Sequence, residues 1–195
     1  MEPRVLTISF LATLALILSP VSSSTTVTQQ NTYSTFVKTS CSSATYPSAC
    51  RKSLLPYAAT IQTNPLKLAT VALSTTLNTA NATLSTITKL SKTKQITNWE
   101  AAVLKDCIGD IKDSMDEVKS SMNEINGIST SANKRFAISN AQTWTSAAIT
   151  DEDSCLDGFS DGQINPSVKK KIRNSILNLA RVSSNALYLI NHLSV

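Results

Sequence analysis

Cys107 and Cys155 are placed symmetrically about Ser131, and this spacing constrains the fold more than any other feature of the chain. One helical run ends near Gly127 and the next begins near Lys134, so Ser131 lies in the middle of the connecting loop. In an antiparallel helical hairpin, residues equally distant from the loop centre lie at the same height. The two sulfurs therefore come within reach of a disulfide, whose Cα atoms are usually ~5.5–6 Å apart.

The chain has four cysteines, an even number that is typical of exported proteins with two disulfides. Three connectivities are possible, and we expect Cys41–Cys50 together with Cys107–Cys155. A zinc site is a poor alternative, because the spacing of Cys41 and Cys50 is too long for a zinc knuckle and His192 is the one histidine.

Residues 1–23 are typical of a secretory signal peptide. Glu2 and Arg4 precede the apolar run Val5–Leu18, and small residues suited to cleavage follow it. That run is shorter than the ~20 residues of a membrane span, and the rest of the chain has none longer. We therefore expect residues 24–195 to be a soluble domain that is secreted to the extracellular space, outside the membrane.

Low glycine content and three-and-four apolar spacing predict an all-α domain. Two short helices, Thr32–Ser40 and Ala49–Tyr57, are expected to form an N-terminal helical hairpin over residues 27–60, clipped by one disulfide. Residues 64–195 are expected to form an up-down four-helix bundle, because short connections place successive helices antiparallel.

Start signals define the four long helices. Asn64-Pro65 and Asn165-Pro166 each combine an N-cap with a proline at the first helical position, and Thr97 with Glu100 forms a capping box. The third long helix is expected over residues 134–159, with Trp144 on its apolar stripe. The apolar seam predicted for the second is Leu104, Ile108, Ile111, Met115, Val118, Met122 and Ile125.

The chain offers no recognisable catalytic chemistry. Its single His192 has no positioned nucleophile to activate, and there is no phosphate-binding loop or zinc-protease motif. Asp151, Glu152, Asp153 and Asp157 lack the spacing of a calcium loop. We expect a protein that is not an enzyme and needs no cofactor or metal.

A net charge of +5 makes weak contact with an acidic polysaccharide such as pectin more natural than nucleic-acid binding, since aromatic residues make up only 5% of the chain. Lys169, Lys170, Lys171 and Arg173 are interpreted as a solvated basic face, with polyanion contact as the sharper alternative. Asn81-Ala82-Thr83 is the one usable glycosylation acceptor.

Four acidic residues recur on one face of the second long helix, opposite its predicted seam: Asp106, Asp110, Asp113 and Glu117. Such a stripe is either a solvated face or an acidic ridge on which a partner docks. Taken alone, the spacing favours the solvated face.

Three segments together resemble the plant invertase/pectin methylesterase inhibitor family, over nearly all of residues 24–195. They are TSCSSATYPSAC at residues 39–50, LKDCIGDIKDSMDEV at residues 104–118 and TWTSAAITDEDSCLDGF at residues 143–159. The third segment is the most specific, and its pattern is typical of the pectin methylesterase inhibitors.

The resemblance implies a secreted, non-enzymatic four-helix inhibitor with sequential disulfides that covers the active-site cleft of pectin methylesterase in a reversible one-to-one complex. It also implies that Asp113 and Asp116 contact the enzyme, with Asp157 as a weaker candidate. Invertase is the alternative target, because Asn133-Lys134-Arg135-Phe136 partly matches an element typical of invertase inhibitors. A helical interaction protein that binds no enzyme is the alternative class. No catalytic β-helix follows the domain, so we expect an inhibitor and not an esterase pro-region.

Overall fold

In the computed structural model, which describes residues 23–93, 96–159 and 164–194, the chain is all-α. The N-terminal hairpin consists of α1 (Ser23–Ser40), α2 (Pro47–Leu54), a 3₁₀ turn (Leu55–Tyr57) and α3 (Ala58–Ile61). The four long helices are α4 (Pro65–Ser91), α5 (Asn98–Gly127), α6 (Lys134–Asp157) and α7 (Pro166–Asn191). The predicted fold class is confirmed, whereas residues 1–22 of the predicted signal peptide lie outside the described residues.

The predicted start signals act as caps. Asn64 Oδ1 accepts a hydrogen bond from the Lys67 N–H at 3.1 Å, and Asn165 Oδ1 accepts one from the Ser167 N–H at 2.9 Å. At α5, Thr97 and Glu100 exchange both bonds of a capping box. These side chains satisfy backbone N–H groups that have no partner within the helix.

The hairpin departs from the prediction in two places. Helix α1 begins at Ser23 instead of Thr32, because the stretch up to Ser40 contains no glycine or proline to interrupt it. The predicted helix Ala49–Tyr57 is divided at Pro56, which has no N–H to donate within an α-helix. Helix α2 therefore ends at Leu54 and a 3₁₀ turn follows.

The four long helices form a ring in which α4 packs on α5 and α7, and α6 also packs on α5 and α7. The hairpin sits against one side of this ring, where α2 contacts α4 and α7. The bundle thus has an α5–α6 side and a side made by α4, α7 and the hairpin.

The core consists of two apolar clusters separated by one polar layer. One cluster includes the buried residues of the hairpin, and the other surrounds Cys107 and Cys155. Between them each long helix contributes one polar side chain that is fully buried: Thr76, Ser114, Glu152 and Ser183.

The buried stripe of α5 is not the predicted seam. Its members are Leu104, Cys107, Ile111, Ser114, Val118, Ser121 and Ile125, whereas Ile108, Met115 and Met122 are only half-buried. Helix α5 is therefore rotated by roughly 40° from the predicted orientation. Serine at two core positions suits this contact, because the facing positions of α6 include the small residues Ala141 and Ala148, which are fully buried.

Candidate interaction site on helices α5 and α6

Charge is segregated between the two sides of the bundle. Residues 24–99 carry seven Lys and Arg and residues 164–195 carry five, and neither segment contains an Asp or Glu. Residues 100–163 carry twelve of the 13 acidic residues and only five basic ones. Helices α5 and α6 thus form an acidic side, while the hairpin, α4 and α7 form a cationic side. The net charge of +5 conceals this separation.

Disulfides brace both sides. Cys107–Cys155 joins α5 to α6 with a Cα separation of 4.5 Å, and Cys41–Cys50 closes the loop between α1 and α2 with a Cα separation of 5.6 Å. This is the sequential connectivity that the sequence predicts. Farther along α5, the Ser121 hydroxyl donates to the Ala141 carbonyl at 3.0 Å, so α5 and α6 are held at two levels.

Glu117 of α5 and Asp151 of α6 form a carboxyl pair at the edge of this helix contact. Glu117 Oε2 and Asp151 Oδ2 are both shielded from water, and neither has a hydrogen-bond partner among the described residues. Burial, then the neighbouring Asp151 carboxyl and the other negative charges nearby, raise the pKa of Glu117 to about 7.

The predicted acidic ridge is turned partly towards α6 as a result of the rotation of α5. Asp110 is half-buried, and burial followed by the charges of Asp151, Asp106 and Asp113 raises its pKa. Asp106 and Asp113 are exposed. The expectation that all four lie opposite the core is therefore wrong for Asp110 and Glu117.

The three proposed contact residues do not form one cluster. Asp113 and Asp116 are exposed within one turn of α5, and Asp116 pairs with Lys119 at 2.7 Å. Asp157, the last residue of α6, is exposed near the disulfide. Because the disulfide sets α5 and α6 at the same height there, Asp157 lies roughly 12–16 Å along the helix axis from the other two.

Trp144 adds an exposed aromatic side chain to the same edge. It lies seven residues before Asp151 on α6, which places both on one stripe of the helix. On that stripe, four residues before Trp144, Asn140 donates to Glu124 Oε1 of α5 at 3.1 Å. Trp144 is 41% exposed, so its expected place on the apolar stripe is wrong. We call Asp110, Asp113, Glu117, Trp144 and Asp151 the acidic face.

Sequence reasoning also missed Glu152, because a carboxylate between Asp151 and Asp153 is expected to be one of a run of exposed acidic residues. Glu152 is fully buried in the polar layer, where its Oε1 accepts hydrogen bonds from Ser114 at 3.0 Å and Ser183 at 2.7 Å. Burial raises its pKa to about 7 although both hydroxyl bonds act against this shift. Glu152 lies seven residues, or about two helical turns, after Thr145, which is also buried. This spacing was the signal in the sequence that Glu152 faces the core.

Other site expectations concern glycosylation, metals and membranes. Asn81 is exposed on α4, where its Nδ2 donates to the Leu77 carbonyl at 3.0 Å, while Thr83 is buried against α7. Within residues 23–93, 96–159 and 164–194, no group of His, Cys, Asp or Glu side chains is arranged to hold a metal ion. In the same ranges, no helix is both long and apolar enough to cross a bilayer.

The fold defines a disulfide-braced helical bundle protein with one acidic side. Residues 35–189 match the family described as plant invertase/pectin methylesterase inhibitor, and the chain belongs to this family. The family is one of inhibitors, in agreement with the expectation that the chain is not an enzyme.

Individual relatives agree with this assignment. The chain is 44% identical over 167 residues to "Pectinesterase inhibitor 4" of Arabidopsis thaliana, covering 85% of this chain and 83% of the relative. It is 36% identical over 159 residues to a "21 kDa protein" of Daucus carota, covering 80% and 82%. A crystal structure of a mutant pectin methylesterase inhibitor from Arabidopsis is similar in fold, with a TM-score of 0.64, 19% identity, and coverage of 81% of this chain and 97% of that one.

Proposed function

We propose that this protein is a secreted inhibitor of pectin methylesterase that covers the enzyme's active-site cleft in a reversible one-to-one complex. It would thereby limit the de-esterification of pectin in the cell wall. The observation that carries the proposal is the acidic face, a rigid surface of carboxylates with an exposed Trp144 at its edge. Exposed tryptophan is strongly enriched among the residues that dominate binding energy at protein interfaces.

Secretion is supported by the predicted signal peptide at residues 1–23 and by the two disulfides, which persist in oxidising compartments. We place the protein in the extracellular space of the cell wall, with Asn81 as a glycosylation site. Domain boundaries follow the same proposal, with residues 24–195 forming the inhibitor domain.

Asp113 and Asp116 are proposed to contact the enzyme, and Asp157 is proposed to contribute less because it lies farther along the bundle. Replacing Asp113 and Asp116 by alanine should weaken inhibition about 30-fold or more, since truncating one partner of a hydrogen-bonded charge pair at an interface costs ~2–5 kcal/mol. Asp153→Ala is the matched control, because Asp153 is exposed about 200° around α6 from Asp151. Unchanged inhibition by the double variant at several pH values would reject this contact.

Glu117 provides a second test through pH. It ionises near pH 7, which adds a negative charge to the acidic face. Inhibition should therefore change between pH 6 and 8, and Glu117→Gln should remove most of that change. Tighter inhibition at higher pH would identify a cationic rim on the enzyme, and weaker inhibition an anionic one. A pH dependence that survives in Glu117→Gln would contradict the role of this residue.

Invertase is the alternative target, on the basis of the element at residues 133–136. Asn133 Oδ1 caps α6 by accepting from the Phe136 N–H, and the Phe136 side chain is 63% exposed. Titration of the purified protein against both enzymes decides between the targets. Phe136→Ala should have no effect on methylesterase inhibition and should weaken invertase inhibition if invertase is the target.

A further inference from the structure

A cleft on the cationic side is separate from the acidic face. It lies where the start of α2 meets α4 and α7, and has a volume of about 620 Å³. This is within the range of ~300–1,000 Å³ that is usual for small-molecule sites. The aromatic, charged and polar side chains used in the following argument all line this cleft: Tyr46, Ser48, Lys52, Thr79, Asn178 and Arg181. We call this site the cationic cleft.

Two cations in the cleft have no carboxylate partner. Lys52 and Arg181 are both exposed, and the single ion pair among the residues that the structure describes joins Lys119 to Asp116. The hairpin, α4 and α7 contain no Asp or Glu, so no acidic side chain of these elements can neutralise the cleft. The positive potential of Lys52 and Arg181 is therefore available to a ligand.

The backbone of the one aromatic residue in the cleft, Tyr46, is anchored to α7. The Tyr46 N–H donates to Asn185 Oδ1 at 2.9 Å, and the Asn185 Nδ2 donates to the Tyr46 carbonyl at 3.0 Å. Asn185 is only 2% exposed and lies on the buried stripe of α7. Four residues on, Cys50 is bonded to Cys41. These contacts hold the backbone of Tyr46, which is 41% exposed and has the Arg181 guanidinium 5.9 Å from its ring centroid.

This set of groups matches the chemistry of an acidic sugar. A guanidinium and an ammonium bind a carboxylate through charge-assisted hydrogen bonds. An exposed aromatic ring offers a flat apolar surface for the C–H face of a pyranose, and the hydroxyl and amide groups of Ser48, Thr79 and Asn178 can bond to sugar hydroxyls. The cleft has one aromatic side chain, whereas single-stranded nucleic acid is bound by several that stack successive bases.

We propose that the cationic cleft is a binding site for an acidic sugar, a uronate unit of a polysaccharide such as de-esterified pectin. The cleft lies on α2, α4 and α7, whereas the acidic face lies on α5 and α6. A polysaccharide can therefore occupy the cleft while the acidic face remains free for a protein. The proposal goes beyond enzyme inhibition and does not depend on it.

The test is calorimetric titration of the purified secreted protein with an oligogalacturonate. Lys52→Gln combined with Arg181→Gln should weaken binding about 10-fold, because the carboxylate loses both charged partners. The matched control is Lys67→Gln combined with Lys89→Gln, which removes the same charge from exposed positions of α4 outside the cleft and should change affinity less than about 2-fold. The oligogalacturonate should also perturb the side-chain amide signal of Asn185 in NMR spectra.

Three outcomes would overturn the proposal. Equal losses in the two double variants would indicate general attraction of a polyanion to the cationic side. Undiminished binding of the methyl-esterified oligosaccharide would show that the carboxylate is not recognised, and equal binding of polyglutamate would show that the sugar is not. Inhibition of pectin methylesterase separates this result from the proposed function, since the Lys52 and Arg181 double variant should retain it fully.

Discussion

The acidic side and the cationic side of this bundle are built in a similar way but carry opposite charge. Each has a disulfide, and each holds an exposed aromatic side chain, Trp144 on α6 and Tyr46 before α2. The acidic side carries carboxylates crowded closely enough to raise the pKa of Glu117, whereas the cations of the cationic side have no carboxylate partner among the residues that the structure describes. The difference teaches that one helical core can support two surfaces of opposite charge.

The largest expected difference between the sides concerns their disulfides. Replacing Cys107 and Cys155 by serine should lower the free energy of unfolding by ~4 kcal/mol, because that bridge spans 48 residues. Replacing Cys41 and Cys50 should cost somewhat under ~3 kcal/mol, because the bridge spans only 9. Urea denaturation of both variants measures the two losses. A larger loss on the cationic side would reverse this ranking.

The next effect concerns the buried Glu152. Its pKa is about 7 in the folded protein against 4.5 as its ordinary value, so the folded state retains a proton that the unfolded state releases. The contribution of Glu152 to stability is therefore greatest below pH 4.5 and should fall by about 3 kcal/mol as the pH rises to 7.

Glu152→Gln should flatten most of this dependence, with the remainder reporting Glu117. The matched control Glu124→Gln changes a half-buried carboxylate on α5 and should retain the full slope. Chemical denaturation between pH 4.5 and 8 provides the measurement. A slope that persists in Glu152→Gln would contradict the shifted pKa.

These two predictions also mark the limit of what the sequence reveals. Caps, helix ends and the symmetry of Cys107 and Cys155 depend on local chemistry and spacing, so they are readable from the chain. The position of Glu152 is not, because burial of a carboxylate depends on hydroxyls from α5 and α7. The rotation of α5 was not predicted for a similar reason, since Ser114 and Ser121 can lie in the core only because α6 supplies acceptors for their hydroxyls, the Glu152 carboxyl and the Ala141 carbonyl.

A smaller effect separates the exposed aromatic side chains of the two sides. Trp144→Ala should weaken inhibition of pectin methylesterase about 10-fold, the loss expected when an exposed tryptophan that contacts the enzyme is truncated. Tyr46→Ala should leave inhibition unchanged and weaken oligogalacturonate binding. Inhibition assays and calorimetry on both variants provide the crossed comparison. Loss of both activities in either variant would show that the two surfaces are coupled.

The smallest effect is expected at Asn81, on the exposed surface of α4. Asn81→Gln should change the free energy of unfolding by less than about 0.5 kcal/mol, as is usual for surface substitutions. The same substitution should abolish a glycan mass shift in the protein isolated from a plant secretory system. Absence of that shift in the unaltered protein would exclude glycosylation at this site.

The polar layer formed by Thr76, Ser114, Glu152 and Ser183 has a consequence for the alignment of the helices. If α6 slid by one turn along its neighbours, the Glu152 carboxyl would leave both hydroxyls and enter an apolar cluster, where an unpaired polar group costs several kcal/mol. Sliding is therefore opposed at mid-height as well as at the disulfide. The polar layer therefore fixes the register of α6 relative to α5 and α7.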